Sequence, residues 1–312
     1  MNNLKLISAL LVLVLGFGLF AGAPQAKAAD DTVNFGYVQW PGVTVKTNVA
    51  KKVVEYLGYE SEMTSGSQAI VFKGLDTGDL DVFLGNWMPT MKIHFDKYKE
   101  KGSVHNVGVN LYGVVYSTAV PEYVYNSGVK SLADLKEKAD KFNKKIYGIE
   151  PGNEGNIIVQ DAIKNNTYNL GEWNLQSSST AGMLSSVKRA VNNEEWIAFN
   201  GWKPHYMNVM FDIKYLKDPE GIWGEGERVY TAARNGYQKE QPNIYKFFKQ
   251  FKVTAPMQNQ WIDSYKRQEK DPEVVAEEWI ADNLDIVNQW VYGVETKDGK
   301  MARKAIREIV SN

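Results

Sequence analysis

Three tryptophans share one setting. Trp40 in QWPG, Trp87 in NWMP and Trp202 in GWKPH each close a run of β-formers, and each is followed by a proline within two residues. An indole face carries a negative quadrupole and an apolar surface. A methylated ammonium spreads its charge over methyl groups and donates no strong hydrogen bond. Such a cation gains roughly 0.5–2 kcal/mol per ring, the upper end when it is desolvated. Three or four converging rings can therefore hold it at micromolar strength, about −8 kcal/mol, after ordering costs. One tryptophan in this setting would read as a core residue; its recurrence at three equivalent places points to display. Trp173, Trp196, Trp223, Trp261, Trp279 and Trp290 lack the setting and read as packing or surface residues.

Residues for bond-breaking chemistry are scarce. His94 and His105 fall in the charged stretch KIHFDKYKEKGSVH and read as solvated. No H-E-x-x-H, G-x-S-x-G, P-loop or G-x-G-x-x-G is present. Asp79 and Asp81 of DLD, just after Gly78, read as a turn and strand entry rather than a metal or acid–base pair. With no cysteine, disulfides, thiolate metal sites and cysteine nucleophiles are excluded. No catalytic residue, metal or cofactor is expected.

The elements that must position the rings are legible from patterning. Residues 1–28 have an early lysine, an apolar run from Leu6 to Phe20 and small residues at Ala26 and Ala28, the pattern of a secretory signal peptide cut near Ala28. Lys5 and Lys27 and no acid lie within that segment, so the remainder carries 34 basic and 37 acidic residues, a net −3. That balance argues against nucleic acid and anionic membrane surfaces as partners. The strand VNFGYVQW leads to a helix with Val45, Val49, Val53 and Leu57 at helical spacing and Gly58 as its stop. YESEMTS is a second strand. A short helix ends near Gly78, and a third strand follows through Val82. This β-α-β-α-β order predicts a mainly parallel sheet, whose ligands collect beyond the carboxyl ends of its strands. A similar unit recurs downstream. SLADLKEKADKF (131–142) is predicted as a helix capped by Ser131, KKIYGIE as a strand, PGNEGN as a turn opening a helix, and WIAFNGW as a strand ending in Trp202. Segment 108–124 reads as one crossing between lobes and 227–237 as the return. The expected organisation is lobe I over 29–117, lobe II over 118–232, and a helical return to lobe I over 233–312.

The stretches DVFLGNWMPTM, KIYGIEPGNEGN and GWKPHYMN resemble substrate-binding proteins of ABC importers for quaternary ammonium compounds, nearer to the choline-binding members than to the glycine betaine binders. The resemblance implies a two-lobed α/β periplasmic-binding-protein fold of type II, each lobe a mainly parallel sheet flanked by helices, with the ligand in the cleft. It implies a monomeric periplasmic receptor that closes by hinge motion and delivers its ligand to an inner-membrane permease. Its aromatic box maps onto Trp40, Trp87, Trp202 and Tyr116 of GVVYSTA. The asparagine at the ligand's polar end maps onto Asn153, and carboxylate-binding backbone N–H groups onto about Gly155 and Asn156.

Two positions depart from the choline pattern. Gly42 stands where choline binders carry an aspartate. Lys92 stands where the choline binder has an acid and glycine betaine binders can place a histidine. Losing an acid and gaining a cation both favour a ligand with its own carboxylate, although Lys92 reads equally well as the start of a solvated helix. His205 is a further candidate for the polar end, and equally a structural histidine. The function implied is capture of glycine betaine, with choline or carnitine as alternatives. A secreted enzyme on choline-type head groups has no nucleophile or metal motif in its favour, and a sensory adaptor that passes the ligand-bound form to a membrane receptor is a third option.

Overall fold

The structure, a computed structural model, describes residues 32–311. The segment read as a signal peptide lies outside the described residues. Among the described residues ten strands form two five-stranded sheets. The first contains β1 (Thr32–Tyr37), β2 (Glu60–Ser65), β3 (Val82–Met88) and β4 (Val104–Leu111). The second contains β5 (Val115–Pro121), β6 (Lys145–Tyr147), β7 (Asn174–Gln176), β8 (Ala198–Lys203) and β9 (Ile213–Tyr215). Then β10 (Arg228–Arg234) returns to the first. The spatial orders are β2-β1-β3-β10-β4 and β7-β6-β8-β5-β9.

The sheets share one design. β1 pairs in parallel with β2 and β3, and β6 with β7 and β8. In each sheet the single reversed strand is the one that has just crossed over: β10 runs antiparallel to β3 and β4, and β5 to β8 and β9. Strand membership puts the crossings at 112–114 and 216–227.

Local sequence explains the elements that carry the site. β1 buries Val33 and Phe35, and helix Pro41–Tyr56 follows with proline in its first turn, where a missing N–H costs nothing. Val45, Val49 and Val53 of that helix are buried, and Gly58 adopts a left-handed φ of 85° just past its end. Helix Gln68–Thr77 starts at Ser67, whose Oγ accepts from the Ile70 N–H, and ends at left-handed Gly78. Asp81 is buried, accepting from the Asn34 N–H at 2.8 Å and Arg234 Nε at 2.7 Å. It ties β1 to β10, while Asp79 accepts from the Thr77 hydroxyl. The helical tail follows β10, and its members Ala255–Lys266 and Pro272–Asp282 pack on helix Pro41–Tyr56. Among the described residues no helix is long and apolar enough to cross a membrane.

Two expectations need correction. Segment 131–142 is not an α-helix but two 3-10 stretches, Leu132–Asp134 and Lys136–Phe142, although Ser131 does cap the first. Its buried anchors Leu132 and Leu135 lie three apart, the spacing at which a 3-10 turn stacks side chains. The histidines read as solvated are both engaged. His105 Nε2 lies 3.0 Å from the Tyr245 hydroxyl, and burial lowers its pKa. His94 keeps only 23% of its side chain exposed and sits 3.5 Å from Glu154 Oε1.

Candidate ligand-binding site

The ring-bearing positions meet because equivalent strand ends meet. Trp40 is the N-cap of the helix after β1. Trp87 is near the carboxyl end of β3, and Trp202 near that of β8. Tyr116 is the second residue of β5, which runs opposite to β8, and Tyr116 and Trp202 are direct cross-strand partners. Such opposed side chains share one face of the sheet. One cavity is lined by Trp40, Trp87, Tyr116 and Trp202 together with Gly42, Val43, Met91, Ile149, Asn153, Pro204 and Gln258. The Tyr116 ring lies 6.2 Å from Trp87 and 5.7 Å from Trp202, edge-on in both cases. Trp223, read from sequence as packing, backs Tyr116 at 5.1 Å. The prolines after Trp87 and Trp202, Pro89 and Pro204, are both cis.

The cavity has no charged side chain in its lining. Buried carboxyls stand nearby. Burial pushes Glu154 up to about 8 and Glu227 up to about 7, so neither supplies a full negative charge at neutral pH. The Tyr116 phenol is held protonated, chiefly by burial.

Asn153 lines the cavity, but its amide is engaged at both ends. Its Oδ1 accepts from the Tyr116 hydroxyl at 3.0 Å and the Gly155 N–H at 2.8 Å, and its Nδ2 donates to Gln68 Oε1 at 3.2 Å. The last bond links the second sheet's loop to a helix of the first. Asn153 thus fixes the Tyr116 ring and caps its own helix.

Four of the sequence-derived candidates do not line the cavity. The Gly155 N–H is taken by Asn153 Oδ1, and the Asn156 N–H by the Asn153 carbonyl at 3.0 Å. Gly155 matters for space instead: a Cβ there would lie 2.2 Å from the Tyr116 hydroxyl oxygen. The Asn156 side chain staples the loop, accepting from the Ile149 N–H at 3.0 Å and donating to the Ile149 and Glu150 carbonyls. Lys92 pairs with Asp96 one turn along its own helix and is mostly exposed. His205 is buried behind Trp202, with ring centroids 4.7 Å apart. Its Nδ1 accepts from the Met207 N–H, and burial drives its pKa down to about 3, so it stays neutral.

Free N–H donors occur at the other glycine-bearing turn. The first helical bond of Pro41–Tyr56 is made by the Thr44 N–H to the Trp40 carbonyl. Gly42 and Val43, which line the cavity, precede it, so their N–H groups are the unbonded donors of a helix start. Among the lining residues that sequence reasoning missed, which also include Val43, Met91, Ile149 and Pro204, Gln258 is the polar one. It lies far along the chain in helix Ala255–Lys266, and only the tail's packing on helix Pro41–Tyr56 brings it in.

Comparison with known proteins places the chain among transport binding proteins. The model for the substrate binding domain of ABC-type glycine betaine transport systems matches residues 31–282. A solved ABC-transporter choline binding protein in complex with choline superposes with a TM-score of 0.87 at 36% identity, over 90% of this chain and 98% of that one. A lactococcal protein in its closed form complexed with glycine betaine gives 0.76 at 31% identity, over 83% and 98%. A glycine betaine/carnitine transport binding protein of Listeria monocytogenes is 35% identical over 164 residues, 53% of this chain; the match spans about half of that relative, 54%. These relatives are transport binding proteins rather than enzymes. The chain belongs to the family of substrate-binding domains of ABC-type glycine betaine transport systems.

Proposed function

We propose that this protein is the extracytoplasmic receptor of an ABC importer, and that it captures glycine betaine or a closely related zwitterion and delivers it to a membrane permease. The observation that carries the choice of ligand is a four-ring cavity without a charged side chain in its lining, opening on the unbonded N–H groups of Gly42 and Val43. A bare cation in such a place lacks a counter-charge, and burying unpaired charge is expensive. A betaine brings its own carboxylate and enters net neutral. Its trimethylammonium stacks on Trp40, Trp87, Tyr116 and Trp202, and its carboxylate meets the positive end of helix Pro41–Tyr56.

The chain acts as a monomer whose two sheets close on the ligand, and it carries out no turnover. Among the described residues no group of three or more His, Cys, Asp or Glu side chains could hold a metal ion. The leader is removed near Ala28 on export, which the mass of the secreted protein reports.

Choline is the second reading, supported by the 0.87 TM-score to a choline complex. Calorimetric titration with glycine betaine, choline, carnitine and proline betaine separates the readings. Betaine is expected to bind tightest, in the micromolar range or below; choline binding tightest would reverse the assignment. Hydrolysis of choline esters by the pure protein would overturn the receptor reading altogether.

A further inference from the structure

We infer that Gln258 is the specificity-determining side chain of the cavity, its terminal amide contacting the non-cationic end of the ligand. The inference rests on the proposed capture of a quaternary ammonium compound and deepens it.

Two side chains in the lining carry polar amides, Asn153 and Gln258. The Asn153 amide is engaged by Tyr116, Gly155 and Gln68. That of Gln258 is not: the residue is 2% exposed, and its Oε1 is buried without a hydrogen-bond partner. An unmet buried polar atom costs about 1–3 kcal/mol, and native structures rarely keep one without a use. A carboxylate has no proton to give that oxygen, which would suit a ligand hydroxyl instead; what the amide offers a carboxylate is its Nε2–H pair, on the Gly42 side.

Gly42 makes the arrangement possible. A Cβ at that position would lie 2.5 Å from Gln258 Nε2 and 3.3 Å from the Ile262 Cδ1 behind it. The amide occupies the volume that a side chain at 42 would need, beside the helix start whose N–H groups are unbonded. Glutamine and first-turn donors thus form one neutral, donor-rich wall. A carboxylate can accept from the Gln258 N–H together with those donors. A ligand that is only a tetraalkylammonium has nothing for this wall to hold.

Calorimetry with glycine betaine and with tetramethylammonium, on wild type and Gln258→Met, tests this. Methionine keeps the volume and removes the amide. The betaine-to-tetramethylammonium affinity ratio should fall about 10–100-fold, the worth of a hydrogen bond to a charged group. A ratio within about threefold of wild type overturns the role of Gln258, whether both affinities fall together or neither changes. Should Gln258→Met not fold, Gly42→Ala displaces the amide from the opposite side and should lower the same ratio; an unchanged ratio overturns the inference equally. Wild-type protein that binds neither ligand points instead to failure of the quaternary-ammonium reading itself.

Discussion

Two glycine-bearing turns lead from a strand into a helix at this site, and they treat their polar groups in opposite ways. In PGNEGN, after β6, the groups turn inward: Asn153 Oδ1 takes the Gly155 N–H, and Asn156 staples Ile149 and Glu150. In QWPGV, after β1, the Gly42 and Val43 N–H groups stay unbonded and Trp40 supplies a ring. The first turn is bonded within itself and holds Tyr116 through Asn153. The second is open and faces the ligand. A turn that saturates its own donors serves as a buttress; only one that leaves them unmet can serve as a binding surface.

The comparison breaks first at Asn156. Asn156→Ala would leave the Ile149 N–H and Asn200 Nδ2 without their acceptor, while the Ile149 and Glu150 carbonyls keep the Ser178 and Asn153 N–H groups, and should destabilise the fold by roughly 2 kcal/mol. A variant that melts with wild type in thermal unfolding contradicts the buttress reading.

Glu154 sharpens the picture through pH. Its carboxyl is buried, and burial raises its pKa from 4.5 to about 8. The folded chain holds this proton where the unfolded chain releases it. The stability contribution is therefore complete below about 4.5 and declines as pH rises through about 8. Glu154→Gln should flatten that decline, gaining on the order of 2 kcal/mol at pH 8 over pH 5 relative to wild type. Parallel stability curves for the two proteins would refute it.

At the open turn the effect should fall on binding. Trp40 is half-buried, and Trp40→Ala should weaken glycine betaine binding about tenfold or more with a smaller loss of melting temperature than Asn156→Ala. The reverse ranking would exchange the roles of the two turns. The smallest effect is expected at Lys92, which pairs with Asp96 in solvent. Lys92→Ala should leave betaine affinity within about twofold, and a larger loss in calorimetry would place that ammonium in the site.

Much of this was legible in the sequence. The tryptophan–proline turns marked strand ends, and the β-α order placed those ends together. The family read from three motifs matches the model covering residues 31–282. Other features had readable signals that pointed elsewhere. An asparagine just before a helix is a capping residue, which is what Asn153 is and why the Gly155 N–H is not free. Lys92 and Asp96 stand four apart on a helix, the spacing of a surface pair. The tyrosine at 116 was reached only through resemblance, since nothing in GVVYSTA marks its register against Trp202. Gln258 was not legible at all: its place depends on how the helical tail packs on helix Pro41–Tyr56, a contact that no local pattern encodes.

An experimental structure with glycine betaine bound is the most direct test. The account predicts the trimethylammonium within about 6 Å of the ring centroids of Trp40, Trp87, Tyr116 and Trp202, with the carboxylate on the side of Gly42 and Gln258. A betaine seated outside that cavity, or turned so that its carboxylate faces the rings, would contradict it.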